Sequence, residues 1–538
     1  MMPALPAIVI VGGGVAGHTL AASLSTLGYR GSVTLIGEER HAPYDRPPLS
    51  KAFQLGDEST LLLEPAVMPG VQILAGQKAM ALHTQQRTLE LDDGRQLPWD
   101  RLVLATGTRP RMLPGIDADA PVLTLRTLDD ARIIRSKLCK GVRLTIIGGG
   151  PIGLELAASA RHLGAQVTVL EAAGRLMARS APAGIADILL EHHRATGIEV
   201  QLDAKVSAIG RNFVELANAQ RIETDLLVVG IGVVANDEIA RDAGIAADDG
   251  IFIDCQFRTT QPDVYAIGDV VRQRHPISGR FERIETWSNA RGQAQALAQL
   301  LHQGHATDCV AQTPWYWSDQ GSLRLQCAGL ITGDTDACRG DVLTGLLRVQ
   351  WSGGRLVGVA AINAPHDFAR LRRMLDNGEN LTPEEFAISN DLTTRPNDAS
   401  LAPSKAAPAP STPNAETGAS TDSPALPTTS MAAVALRDIK EGGIGSACLP
   451  DGTRIAIYRI RGEEIFATDD KCSHGSSSLC DEGSLEGHVV ECGLHLGSFD
   501  VRTGLPVSTP CTKAIRSYPA QVRDGTIWIS TEPNHPHP

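Results

Sequence analysis

Short apolar runs followed by stretches of helical spacing recur along the first 390 or so residues, and this alternation predicts an α/β architecture. The opening run Ile8-Val-Ile-Val11 reads as a buried strand, and an Ala- and Leu-rich helix and a second strand, Val33-Thr-Leu-Ile36, follow it. The same script returns with the strand Leu144-Thr-Ile-Ile147, another Ala-rich helix and the strand Val167-Thr-Val-Leu170, a repeat at domain scale. The last hundred residues change character. Runs such as Arg454-Ile-Ala-Ile-Tyr458 and Thr526-Ile-Trp-Ile529 predict a small all-β domain.

Between these regions the pattern vanishes. From Pro396 to Ser430 the chain carries seven prolines among Ala, Ser and Thr, with no aromatic residue and no cysteine. Such a composition cannot bury enough apolar surface to offset chain entropy, so a disordered linker is expected over residues 396–430. A coil of that length spans about 30–35 Å root-mean-square and keeps the domains it joins near millimolar effective concentration.

A chain of 538 residues is too long for one core and is expected to form three or four domains. The formal net charge of −12 argues against a nucleic-acid binder, which needs a basic face. The chain contains no run of the roughly 20 apolar residues that span a bilayer, so no membrane association is expected. The first apolar run lacks a basic lead-in and enters glycines directly, which reads as a strand and not as a signal peptide. Ten cysteines are too sparse for a disulfide scaffold, and Cys139, Cys255, Cys309, Cys327, Cys338 and Cys448 lack ligand spacing. A cytoplasmic location fits these features.

Each repeat carries glycines where strand turns into helix: Gly12, Gly14 and Gly17 in the first, Gly148, Gly150 and Gly153 in the second. Each is followed about 20 residues on by an acidic residue, Glu38 or Glu171, at the end of the next strand. Glycines let the backbone approach a pyrophosphate, the helix N-terminus offers unpaired N–H groups, and the carboxylate takes a ribose diol. Two dinucleotide sites are therefore expected. Glu171 accepts from a 2′-hydroxyl and repels a 2′-phosphate, which favours NADH, although Arg175 and Arg179 lie nearby and soften that preference.

Near the other end stand Cys472-Ser-His474 and Cys492-Gly-Leu-His495. One thiolate and one imidazole per arm is the ligand mixture of a Rieske [2Fe–2S] cluster, with two Cys on one iron and two His on the other. Structural zinc sites usually pair like ligands, which makes zinc the weaker reading.

Four further motifs carry a resemblance: Pro43-Tyr-Asp-Arg-Pro-Pro-Leu-Ser-Lys51, Leu102-Val-Leu-Ala-Thr-Gly107, Thr260-Gln-Pro-Asp-Val-Tyr-Ala-Ile-Gly-Asp269, and Ile284-Glu-Thr-Trp287 with Pro314-Trp-Tyr-Trp-Ser-Asp-Gln320. With them, the first 390 or so residues resemble the flavoprotein NADH:ferredoxin reductases of bacterial oxygenase systems. These are two-dinucleotide-binding-domain α/β proteins of the glutathione-reductase-like class with an α+β C-terminal domain. The resemblance implies FAD contacts at Glu38, Arg46, Lys51, Thr106, Gly107, Arg126, Asp269 and Trp287. It implies NAD(H) contacts at Ile152, Glu155, Glu171 and Arg179, and catalytic roles for Lys51, Glu155 and Trp287. It also implies an FAD-binding domain over 1–113 and 245–316, an NADH-binding domain over 114–244 and a C-terminal domain over 317–395. Residues 431–535 resemble the Rieske ferredoxins of aromatic-ring dioxygenases, including Gly497-Ser-Phe-Asp-Val-Arg-Thr-Gly504 and Thr509-Pro-Cys511. No role is assigned to Cys480.

The superfamily's disulfide reductases carry a cysteine pair on an early helix, but here no cysteine precedes Cys139. Only 43 residues follow His495, too few for the mononuclear iron site of an oxygenase. The resemblance thus implies a carrier of electrons from NADH through FAD to the cluster and on to a separate terminal oxygenase of the Rieske non-haem iron type. A nitrite reductase or a cytochrome P450 is an alternative acceptor, and a redox sensor like apoptosis-inducing factor is an alternative role.

Overall fold

The repeat read from the apolar pattern is realised as two parallel sheets. The computed structural model describes residues 5–63, 67–113, 121–303, 313–388, 429–473, 477–493, 497–508, 511 and 513–534. In the first sheet Ile8–Val11 lies between Val33–Gly37 and Arg101–Leu104, with Val71–Ala75 and Val264–Ala266 at the edges, all parallel. In the second, Arg143–Ile147 lies between Gln166–Leu170 and Leu226–Val229, flanked by Glu199–Gln201 and Val122–Leu123. Ile8–Val11 and Leu226–Val229 are buried along their whole length, which is why their sequences are unbroken apolar runs.

Local signals set the helices. Pro151 occupies the first turn of Pro151–His162, where its missing N–H costs nothing. Thr127 and Asp130 close a reciprocal capping box on Leu128–Lys137. The helix Val15–Thr26 buries Ala16, Leu20, Ala21 and Leu24 in one core with Ala290, Ala294, Leu297 and Ala298 of the helix Trp287–Gln303. Small residues on both sides let the two backbones approach closely.

A third sheet is antiparallel, in the order Trp315–Gln320, Leu323–Gly329, Arg355–Ile362, Gly345–Ser352 and Thr335–Asp341. Its first strand runs across the expected 316/317 boundary. The three segments expected as separate domains share apolar packing: one core contains Tyr44 and Phe53, Leu154 and Val169, and Leu325 and Ile362 together. The chain accordingly forms two compact units, Met1–Ala364 with Leu371–Asn380, and Pro365–Arg370 with Leu381–Pro538.

Among the described residues, the β-rich end of the second unit holds three antiparallel sheets. Ser430–Ala435 pairs with Thr526–Ser530, so Ser430 belongs to a strand and not to the linker. The expected strands at 454–458 and 526–529 are present as Arg454–Arg459 and Thr526–Ser530. The rest of the expected linker apart from Thr429, residues 396–428, lies outside the described residues. Among the described residues no helix is long and apolar enough to cross a membrane.

Candidate functional site

Backbone crowding explains the glycines. Gly12 has φ +123°, and a Cβ on it would stand 2.0 Å from the carbonyl oxygen of Ala105. A Cβ on Gly17 would stand 2.0 Å from the Gly12 oxygen. Gly14, the N-cap of Val15–Thr26, has nothing within 4 Å of that position and no side-chain cap. The second turn repeats this: Gly148 at φ +115° and 2.3 Å from Gly230 O, Gly153 at 2.4 Å from Gly148 O, and Gly150 open as an uncapped N-cap. Two tight turns thus each end on open helix N–H groups, the geometry a pyrophosphate requires, and FAD and NAD(H) fit the pair.

The acidic residues behave differently. Glu38 is exposed and pairs with Lys78 at 3.0 Å. Glu171 folds back onto its own turn, its Oε2 accepting from Gly149 N and its Oε1 from Ala173 N, both at 2.7 Å. Arg175 donates to Ala178 O and Ala181 O and is held by them, whereas Arg179 donates to Ile231 O at 3.3 Å beside the second turn. The residue after Pro151, Ile152, is 45% exposed.

Around the first turn, Thr106 and Asn236 exchange hydrogen bonds, Thr106 Oγ1 donating to Asn236 O and Asn236 Nδ2 to Thr106 O, while Asn236 N donates to Gly107 O. Arg46 reaches Glu39 and the Arg126 carbonyl, each at 2.7 Å. Arg126 in turn lies 3.5 Å from Asp269 and donates to Thr108 O. Lys51 Nζ and Glu155, 104 positions apart, meet at 2.8 Å with both side chains mostly buried. Trp287 Nε1 donates to Asp45 at 2.7 Å, and its ring stands edge-on to Trp317 with Arg291 over its face. Burial pushes the Asp45 carboxyl pKa up, and the Trp287 hydrogen bond, Arg291 and Lys51 pull it back. The sequence-predicted residues therefore fall into a Lys51–Glu155 pair, an Arg46–Arg126–Asp269 group and the Trp287–Asp45 contact, with Glu38 apart at the surface.

In the second unit, Cys472 and Cys492 are buried in one core with Phe499 and Leu479. The two are held alike, Cys472 N donating to Ser477 O at 2.9 Å and Cys492 N to Gly497 O at 2.8 Å. His474 and His495 lie outside the described residues. Two buried thiols in matched backbone settings fit the cysteine half of a Rieske centre. Cys511 adds a third buried sulfur, 3.7 Å from Cys472 Sγ.

Paired nucleotide cradles on parallel sheets, beside a buried Lys–Glu pair, define a pyridine nucleotide-dependent flavoprotein oxidoreductase. Residues 6–294 match the pyridine nucleotide-disulphide oxidoreductase family, 315–394 the reductase C-terminal family and 430–519 the Rieske [2Fe–2S] domain family. The ferredoxin–NAD(+) reductase component of an anthranilate 1,2-dioxygenase system from Burkholderia cepacia is 38% identical, over 70% of this chain and 96% of that protein. The corresponding component of 3-phenylpropionate/cinnamic acid dioxygenase from Photorhabdus laumondii is 36% identical, over 69% and 96%. Among solved structures, the ferredoxin reductase for the CYP199A2 system of Rhodopseudomonas palustris superposes with a TM-score of 0.67 at 35% identity, covering 72% of this chain and 98% of that one. Putidaredoxin reductase in its covalent complex with putidaredoxin gives 0.68 at 33%, covering 71% and 95%. The chain belongs to the pyridine nucleotide-disulphide oxidoreductase family, as a ferredoxin–NAD(+) reductase that also carries a Rieske domain.

Sequence reasoning left some of the site unassigned. Asp45 and Ser318 stand inside quoted motifs without an assigned role, and His193, beside His192 in the last turn of a helix, carries no ligand or catalytic spacing.

Proposed function

We propose that the chain is an electron-transfer enzyme that oxidises NADH and hands single electrons, through FAD and its own Rieske [2Fe–2S] cluster, to a separate Rieske-type oxygenase acting on an aromatic ring. The observation that carries this reading is the presence, in one polypeptide, of both glycine cradles and the two buried cysteines. Bound FAD supplies the conversion between two-electron and one-electron chemistry.

The chain's own residues do the rest. Gly12, Gly14 and Gly17 bring backbone to the FAD pyrophosphate, Glu38 takes the adenosine ribose, and Arg46 and Arg126 set positive charge near the phosphates. Thr106, Gly107 and Asp269 line the path toward the ring, and Lys51 places a cation where charge builds on reduction. Trp287 screens the site from water. Gly148, Gly150, Ile152 and Gly153 seat NADH, Glu155 orients its reacting end, Glu171 holds the ribose diol and Arg179 flanks it. With Arg175 bound to the carbonyls of Ala178 and Ala181, NADH is the preferred donor. Cys472, His474, Cys492 and His495 hold the cluster. The linker, ending at Thr429, lets the cluster domain that begins at Ser430 shuttle between the reductase and the oxygenase in the cytoplasm. A cytochrome P450 as acceptor is the second reading, because one similar structure serves a CYP199A2 system; the Rieske module favours the oxygenase.

Anaerobic stopped-flow mixing with NADH tests this. Flavin bleaching followed by a reduced-cluster EPR signal is expected. Bleaching without a reducible cluster would refute the carrier role.

A further inference from the structure

Glu155 stands at one end of a buried line of polar side chains drawn from three elements. Its Oε1 accepts from Ser318 Oγ at 2.7 Å, Ser318 Oγ accepts from Gln320 Nε2 at 3.2 Å, and Gln320 Oε1 lies 2.9 Å from His193 Nε2. Ser318, Gln320 and His193 are fully buried and Glu155 is 4% exposed. Glu155 comes from the helix Pro151–His162, and His193 from the last turn of the helix Ala183–Ala195. Ser318 and Gln320 share one face of the strand Trp315–Gln320, two positions apart.

Chemistry fixes the direction of every bond. A carboxylate only accepts, so Ser318 spends its single proton on Glu155. Ser318 can then only accept from the Gln320 amide, which turns the Gln320 carbonyl toward His193. His193 must therefore donate through Nε2–H, leaving Nδ1 as a bare lone pair. That nitrogen has no hydrogen-bond partner among the described residues, and burial lowers the imidazole pKa, so the neutral ring fits the site. The line runs with one polarity from His193 to Glu155, whose other oxygen accepts from Ser50 Oγ at 2.5 Å and from Lys51 at 2.8 Å.

We propose that His193 is a positioning residue for the flavin and nicotinamide site, holding Glu155 through Gln320 and Ser318 so that Glu155 in turn holds Lys51. This rests on the reading above that Lys51 and Glu155 face the bound cofactors. A Glu155 oxygen that loses the Ser318 proton concentrates its charge on Lys51. The ion pair tightens, and the lysine turns away from the ring it stabilises.

Holoprotein variants H193F, S318A and the double H193F/S318A test the line, with K51Q as reference. Two quantities are measured: the flavin midpoint potential without NADH, and the rate of flavin reduction in a single turnover with NADH. S318A and H193F should each shift the potential to more negative values and slow reduction about tenfold, the scale of one buried hydrogen bond. The double variant should be no slower than S318A alone, because residues acting through one line are not additive. H193Q, which keeps an N–H donor at the same end, should restore both readouts. Unchanged readouts in H193F, or losses that multiply in the double variant, overturn the inference. If K51Q alters both readouts while H193F alters neither, only the His193 inference falls; if K51Q alters neither, the Lys51 reading beneath it falls too. Should H193F not fold, Gln320→Met takes its place in the cycle with the same expected and opposing outcomes.

Discussion

The two glycine turns are near copies in backbone and unlike in charge. Both strands run under a neighbouring strand at a glycine with φ above +110°, and both helices open on an uncapped glycine. Yet Glu38 points outward to Lys78, while Glu171 is bound to two amides of its own loop before any ligand arrives. Repetition of a motif therefore duplicates the cradle for a phosphate but not the selectivity beside it. On the proposed assignment, the first site is shaped by residues from distant segments, Arg46, Lys51, Arg126 and Asp269, whereas the second has its carboxylate already fixed on its own loop.

The comparison breaks most sharply at the glycines. Gly12→Ala puts a methyl against Ala105 O at positive φ, and a destabilisation of about 3 kcal/mol or more is expected, read as lost FAD absorbance per chain. Gly14→Ala meets open space and should lose little, so equal collapse of both would show that crowding is not the cause. Gly148→Ala carries the same lesson to the second turn. It should retain FAD and lose saturable reduction by NADH, measured by titration against flavin bleaching.

A smaller effect separates the two carboxylates. Glu171→Gln should raise the KM for NADH by about tenfold, because a preset acceptor is lost. Glu38→Gln should weaken FAD retention by about threefold or less, since that side chain is exposed and already paired. Equal effects would contradict the asymmetry.

The smallest is a pH effect within the second half. Burial holds the folded-state pKa of His193 below the ordinary value of 6.5. Below pH 6.5 the unfolded chain binds a proton that the folded chain refuses, so stability falls as pH drops from there toward the folded-state pKa. His193→Gln should flatten that part of the profile, compared as urea midpoints at pH 7.5 and 5.5, and an unchanged slope would show that His193 does not titrate on unfolding.

Much of this molecule is legible where its signals are local. The strands, the glycine turns and the Cys472 and Cys492 arms are each written within 20 or so residues, because steric crowding and ligand spacing act at short range. The pairing of Lys51 with Glu155 and of Arg126 with Asp269 spans more than a hundred positions and was not expected: the resemblance implied only that each of the four contacts a cofactor. Ser318, Gln320 and His193 were not legible, because a polar residue on a strand or helix looks the same whether it faces water or a buried partner. Arg175 illustrates the reverse: its position beside Glu171 implied an influence on cofactor choice, and the carbonyls of Ala178 and Ala181 hold it instead. The boundary at 316/317, implied by the resemblance, falls inside the strand Trp315–Gln320, because a likeness in motifs does not fix where a strand begins.

The order of strands in the first sheet has a consequence for synthesis. Arg101–Leu104 needs Val264–Ala266 beside it, and the whole second sheet is encoded between them. At roughly 5–20 residues per second, the ribosome takes on the order of 8–32 s to supply the missing edge. The nested half is complete while its host still lacks a strand, so a nascent chain gains its second glycine turn in a finished sheet before the sheet under its first is closed.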